Sequence, residues 1–200
     1  MNKSEIEELY KEFHTPHHVR AHCLKVAMVG EFIAKELNKV GVDVDAQQAW
    51  AAGMIHDFVR VVDFSELPED LGTKEDQLVW GKLRGEYKGR HHADVGAEIL
   101  KEKGFKALGD TVSRHQTAFI GTEKGPTDWP SMLLYYADKR VSHDKIVSLT
   151  DRLDEAWERH FNNRNKTEDE ETVMLAIYAL EKEIFKPLNI TPDDVTKALT

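Results

Sequence analysis

Residues 16–38 read PHHVRAHCLKVAMVGEFIAKELN, and their spacing decides the fold class. Val19, Cys23, Val26, Gly30, Ile33 and Leu37 recur at alternating steps of three and four, the stripe of a helix buried along one face. Pro16 suits the first turn, and Gly41 helps to end the helix. Working outward, the same periodicity continues almost everywhere, and no stretch shows the sustained alternation of a strand. The expected fold is all-α, a compact multi-helix bundle. A short helix capped by Ser4 ends near Phe13. A third helix starts near Asp43 or Asp45 and stops around His56 and Asp57, with Ala49, Ala52 and Gly53 forming a small-residue ridge that lets another helix approach closely. Further helices are expected at about 74–83, 92–103, 106–117, 131–141, 143–162 and 169–185, with a last one after Thr191. Residues 58–74 read as loop, the glycine-broken cationic segment 81–90 as mobile, 121–130 as turn-rich, and 162–171 as a polar hinge.

The 200 residues suit one domain, with a core over about 16–150 and a helical extension over 151–200 that either caps the core or makes a homodimer contact. A net charge of −9 offers no overall attraction to duplex nucleic acid or anionic lipid, and the longest apolar run, AWAAGMI at 49–55, is too short to span a bilayer. The single cysteine, Cys23, cannot form an internal disulfide and lies in the apolar stripe as a small core residue. These features together point to a cytoplasmic protein.

Ten histidines open the functional argument. The periodicity turns several polar side chains inward. His22 shares a face with Val26, Val29 and Ile33, and His56 continues the small-residue ridge. His92 heads the Val95, Gly96, Ile99 stripe, His115 follows Leu108 and Val112, and Asp138 sits with Leu134 and Val141. Asp57 is about 100° around from His56, so both reach one point where the helix ends. Four inward histidines and two carboxylates on five helices are hard to satisfy pairwise, whereas metal ions satisfy them together. Six protein ligands are too many for one catalytic ion with open positions, which favours two ions, and a carboxylate such as Asp57 can bridge ions about 3.5–4 Å apart. Imidazole and carboxylate without thiolate favour iron or manganese, with zinc, nickel, cobalt and magnesium as the other divalent candidates.

The order of these residues resembles the HD superfamily of metal-dependent phosphohydrolases: His22 in VRAHCLKVA, His56-Asp57 in AAGMIHDFVR and Asp138 in LLYYADKRV, over roughly 16–150. HADVGAEIL from His92 and VSRHQT around His115 look like the two further histidine segments of its two-metal branch. The resemblance implies that His22, His56, Asp57 and Asp138 hold one metal, with Asp57 bridging to a second held by His92 and His115. HDFVR stands where HDIGK-like sequences are common, so Arg60 either takes the place of the usual lysine or serves no such role. No acidic pair follows as in guanosine-tetraphosphate hydrolases, and no Gly-Tyr-Pro motif as in cyclic-di-GMP phosphodiesterases; the layout is similar to dinucleoside tetraphosphate hydrolases.

The expected activity is metal-assisted hydrolysis of a phosphate ester or anhydride in a small molecule, with a nucleotide as the first guess. Asp57, Arg60 and Lys139 are the candidate catalytic residues, and Arg60, Lys88, Arg90, Lys139 and Arg140 the candidate substrate cations. Two alternatives remain: a di-iron oxygenase of the same superfamily, and a noncatalytic nucleotide-binding module. The second His-Asp pair, His143-Asp144, reads as structural, with Ser142 as a helix N-cap. His14, His17, His18, His91 and His160 are read as lying outside the ligand set.

Overall fold

The computed structural model describes residues 1–161 and 164–200, with the side chains of 160 and 161 outside that description. The ring of His160 and the first two residues of the 162–171 hinge therefore lie outside the described residues. The described chain forms α1 (Lys3–Glu12), α2 (His17–Lys39), α3 (Ala46–Ile55), α4 (Lys74–Glu86), α5 (His92–Glu102), α6 (Lys106–Ser113) and α7 (Trp129–Asp138). A two-stranded hairpin follows, β1 (Val141–Ser142) with β2 (Lys145–Ile146), then α8 (Leu149–Phe161), α9 (Glu168–Phe185) and α10 (Pro192–Leu199). The all-α reading holds. Among the described residues no helix is long and apolar enough to cross a membrane.

α2 is the axis of the bundle, and it packs on α3, α7 and α10. Its stripe is fully buried at Cys23, Val26, Ala27, Ile33 and Leu37. The small-residue ridge on α3 acts as expected: a Cβ at Gly53 would meet Ala27 Cα at 2.4 Å, so glycine lets the two backbones touch. Gly109 does the same for α6 against α5, where a Cβ would meet Ala97 O at 2.7 Å. These two approaches bring the ends of α3 and α6 toward α2 and α5, and the inward histidines stand at those ends.

Several boundaries differ from expectation, each for a local reason. α1 is capped by Asn2, whose side chain accepts from Glu5 N, rather than by Ser4. Residues 81–86 are not mobile but continue α4, because Leu83 is buried and Arg84 NH1 donates to the carbonyls of Val61 and Phe64 at 3.2 and 2.7 Å. In the expected loop 58–74, Phe58, Val59 and Val61 are buried and Arg60–Asp63 form a 3-10 turn. α6 stops at Ser113, so His115 stands beyond the helix. The helix expected from 143 begins only at Leu149, capped by Ser148, whose Oγ accepts from Asp151 N at 3.0 Å. Ser142 instead pairs with Lys145 in the hairpin, and His143 occupies its turn at φ 55°, a left-handed conformation few side chains adopt.

Candidate metal centre

Five elements deliver six side chains to one region. His22 comes from the second turn of α2, His56 and Asp57 from the end of α3, His92 from the first residue of α5, His115 from just past α6 and Asp138 from the last residue of α7. His56, His92 and His115 are buried. Their donor atoms form two groups, His22, His56 and Asp138 in one and Asp57, His92 and His115 in the other, each with its atoms within 4.8 Å of one another.

The hydrogen bonds fix which nitrogen of each ring faces inward. His56 Nδ1 donates to Gly53 O at 2.8 Å, His115 Nδ1 to Val112 O at 2.6 Å, and His22 Nδ1 to His143 O at 2.9 Å. His92 Nδ1 donates to Asp63 Oδ2 at 2.8 Å. Arg60 NH1 lies 3.2 Å from that nitrogen, but a guanidinium cannot accept, and both groups donate to Asp63. Every outward partner is an acceptor, so in the neutral rings every inward Nε2 carries a lone pair.

Those lone pairs converge on carboxylates. Asp57 Oδ1 lies 2.9 Å from His92 Nε2, 3.5 Å from His115 Nε2 and 3.7 Å from His56 Nε2. Asp138 Oδ1 lies 3.0 Å from His22 Nε2 and 3.6 Å from His56 Nε2. His56 thus stands between the groups, and its buried Nε2 has no hydrogen-bond partner. Apart from Lys139 Nζ, which donates to Asp138 Oδ2, the atoms gathered here are acceptors, an arrangement that is costly unless further positive charge enters it. The donor set of four imidazoles and two carboxylates fits divalent metal ions, and the unpartnered Nε2 is the atom such an ion would satisfy.

The titration behaviour carries the same signature. Burial opposes charge on His56 and His92, yet the neighbouring carboxylates outweigh it and hold both above the ordinary histidine range. Burial pushes His115 down, and the proximity of His92 adds to this. Asp57 and Asp138 are held well below the usual carboxylate range in spite of burial, by the histidines and, for Asp138, by Lys139. The site draws in either protons or metal cations.

The centre forms the floor of a cavity of about 960 Å³. Among the expected cations, Arg60 and Lys139 line it. Lys139 Nζ lies 2.6 Å from Asp138 Oδ2, and Arg60 Nε 3.7 Å from Asp57 Oδ2. The other three do not reach it. Arg140 is 1% exposed and donates to Val147 O, the Tyr136 hydroxyl, Pro192 O and Thr196 Oγ1, so it ties α7 to α10 and is buried away from the cavity. Arg90 is an exposed partner of Glu98 at 2.6 Å, and Lys88 is exposed beyond the end of α4; neither lines the cavity.

Three features escaped the reading of the sequence. Asp63 accepts from both Nδ1 and the backbone N of His92, which ordinary propensity cannot reveal, although its place six residues after Asp57 on an apolar run was a visible cue. His17, His18, His91 and His143 line the cavity without joining the two donor groups above, and His91 forms a third possible group with Asp63 and His92. The extension also takes part, because Leu153, Val173, Met174 and Ile177 from α8 and α9 line the same space.

The family model for the HD domain matches residues 19–156. No curated protein and no solved structure is significantly similar to the chain.

Proposed function

The chain belongs to the HD domain family, a superfamily of metal-dependent hydrolases, and on that premise we propose that it hydrolyses a phosphate ester or anhydride of a small molecule, a nucleotide first among them. The observation that carries this reading is the buried, unpartnered Nε2 of His56 between two ionised carboxylates. In the proposed site His22, His56, Asp57 and Asp138 would hold one ion, and His92 and His115, with Asp57 shared, would hold a second. Iron or manganese suits this nitrogen and oxygen donor set best, with zinc, nickel, cobalt or magnesium as the other candidates. When bound, such ions supply Lewis acidity to a phosphoryl oxygen and make water a nucleophile near neutral pH.

The chain's own groups bind and orient around that centre. Asp63 locks the His92 ring, and the His143 carbonyl locks His22, so the metal-facing nitrogens are preorganised. Lys139, held against Asp138 and over the Tyr135 ring, places a cation at the cavity floor for a nonbridging phosphate oxygen. Arg60 presents its guanidinium from the other carboxylate, where a forked donor suits phosphate.

The test is phosphate release from a panel of nucleotides by protein reconstituted with manganese or iron, with and without oxygen. Release that is independent of oxygen supports hydrolysis. Oxygen consumption with an organic substrate and no phosphate release would move the reading to oxygenase chemistry.

A further inference from the structure

The hairpin whose turn carbonyl meets His22 is too short to hold itself. β1 and β2 contribute two residue pairs, Val141 with Ile146 and Ser142 with Lys145, and a lone two-stranded ribbon of that size is at most marginal in water. The next pair in the register is Arg140 with Val147, where an antiparallel ladder has each backbone N–H bond to the other residue's carbonyl. Val147 N does donate to Arg140 O at 2.8 Å. Arg140 N cannot return the bond, because it donates to Ala137 O at 3.0 Å at the end of α7. The Arg140 side chain supplies it instead, its Nε donating to Val147 O at 2.7 Å.

The rest of the guanidinium faces the C-terminal extension. NH2 donates to Pro192 O at 3.1 Å and to Thr196 Oγ1 at 2.7 Å, both on α10. NH1 donates to the Tyr136 hydroxyl, which itself donates to Glu181 on α9 at 2.7 Å. α10 in turn packs on α2 and buries Val195 completely. Burying a charge this deeply is costly, and an apolar side chain would fill the space at least as well. What an apolar residue cannot do is join the hairpin to α9 and α10 at once, and lysine, a point charge without a fork, cannot do it either.

We infer that Arg140 is a positioning residue for the metal centre, and that α10, outside the matched segment 19–156, completes the brace: together they hold the hairpin so that the His143 carbonyl stays on His22 Nδ1. The inference rests on the metal-centre reading above and adds a part to it. Its consequence is selective. His22 belongs with His56 and Asp138, whereas in the second group the rings of His92 and His115 take their outward partners from Asp63 and Val112, away from the hairpin. With its outward acceptor gone, the neutral His22 ring can carry its proton on Nε2 instead, toward Asp138 Oδ1 at 3.0 Å, and that tautomer offers no lone pair to a metal. A residue that served stability alone would affect both groups alike.

The experiment follows manganese binding to full-length protein by chelator competition, one ion for each donor group. Arg140→Lys is expected to weaken one step about tenfold and to leave the other within about twofold, the weakened step being the one that His22→Ala abolishes. Thr196→Val, which removes one acceptor and little volume, should act in the same direction by about threefold, and it carries the test if the lysine variant fails to fold. In metal-free protein the Val147 amide should exchange with solvent faster by the same factors, with the Ile99 amide in α5 unchanged. Equal weakening of both steps, or a Val147 amide as protected in the variants as in the parent, would overturn the inference. A parent that binds no manganese, with faster exchange at Val147 in the variants, would instead remove the metal reading and leave the brace standing.

Discussion

His92 Nε2 and His115 Nε2 face each other at 3.1 Å while their Nδ1 atoms donate outward to Asp63 and Val112 O. Two neutral rings held this way oppose lone pair to lone pair, so the contact calls for a positive charge between them or beside them. In metal-free protein, protons on His92 and His56 supply it, since the carboxylates raise both pKa values despite burial. Metal must displace those protons. Metal affinity should therefore rise with pH through neutrality, by about tenfold per unit for each proton released, and flatten above the raised pKa values. Calorimetry with manganese in buffers of different ionisation enthalpy measures the proton count; zero release would contradict the account.

The same groups fix a stability profile. Because their folded pKa values lie above the ordinary value of 6.5, their contribution is fully present below about pH 6.5 and is lost as pH climbs through the raised values. Metal-free protein should lose thermal stability toward alkaline pH, and metal-loaded protein should not. Parallel melting curves across pH check this.

Asp63 positions His92 without touching the proposed metal path. Burial opposes its charge, but the bonds from His92 hold its pKa down to about 2, so it accepts from the ring throughout the working range. Asp63→Ala should weaken metal binding about 10–100-fold while the fold persists. An unchanged metal affinity, measured by chelator competition, would show that the ring needs no such partner.

His143 separates a backbone role from a side-chain role. Its carbonyl orients His22, and its φ of 55° is one that glycine adopts freely. His143→Gly should keep full metal content and equal or greater thermal stability, whereas a variant that loses metal would place the ring itself in the site.

Gly53→Ala tests the packing that brings α3 to α2. A methyl group would meet Ala27 Cα at 2.4 Å, and because the obstacle is backbone the helices must part. The expected cost is about 3 kcal/mol or more in urea unfolding, with metal affinity falling as His56 moves from His22.

The helical class was legible because the apolar spacing of α2, α3 and α5 is set by one buried face each, and the same spacing turned His22, His56 and His92 inward. Boundaries governed by tertiary partners were not. Arg84 bonds to Val61 and Phe64 carbonyls and so carries α4 through two glycines, a connection across 20 residues that no local window contains. The hairpin at 141–146 is equally non-local in effect: its turn carbonyl meets His22 across 121 positions. Arg140 shows the limit for charge. Its neighbour Lys139 reaches the cavity, but one residue on, the side chain turns into the core to meet α10, and adjacency to Asp138 could not reveal that.

The central claim is tested most directly by counting transition metal per chain, by elemental analysis of protein prepared without oxygen or added metal, in the parent and in Asp57→Ala. The account predicts close to two ions in the parent and the loss of most of them in the variant, because Asp57 Oδ1 is the carboxylate oxygen that faces the Nε2 atoms of His92 and His115 together, at 2.9 and 3.5 Å. A parent that stays metal-free even after reconstitution with iron or manganese would contradict it.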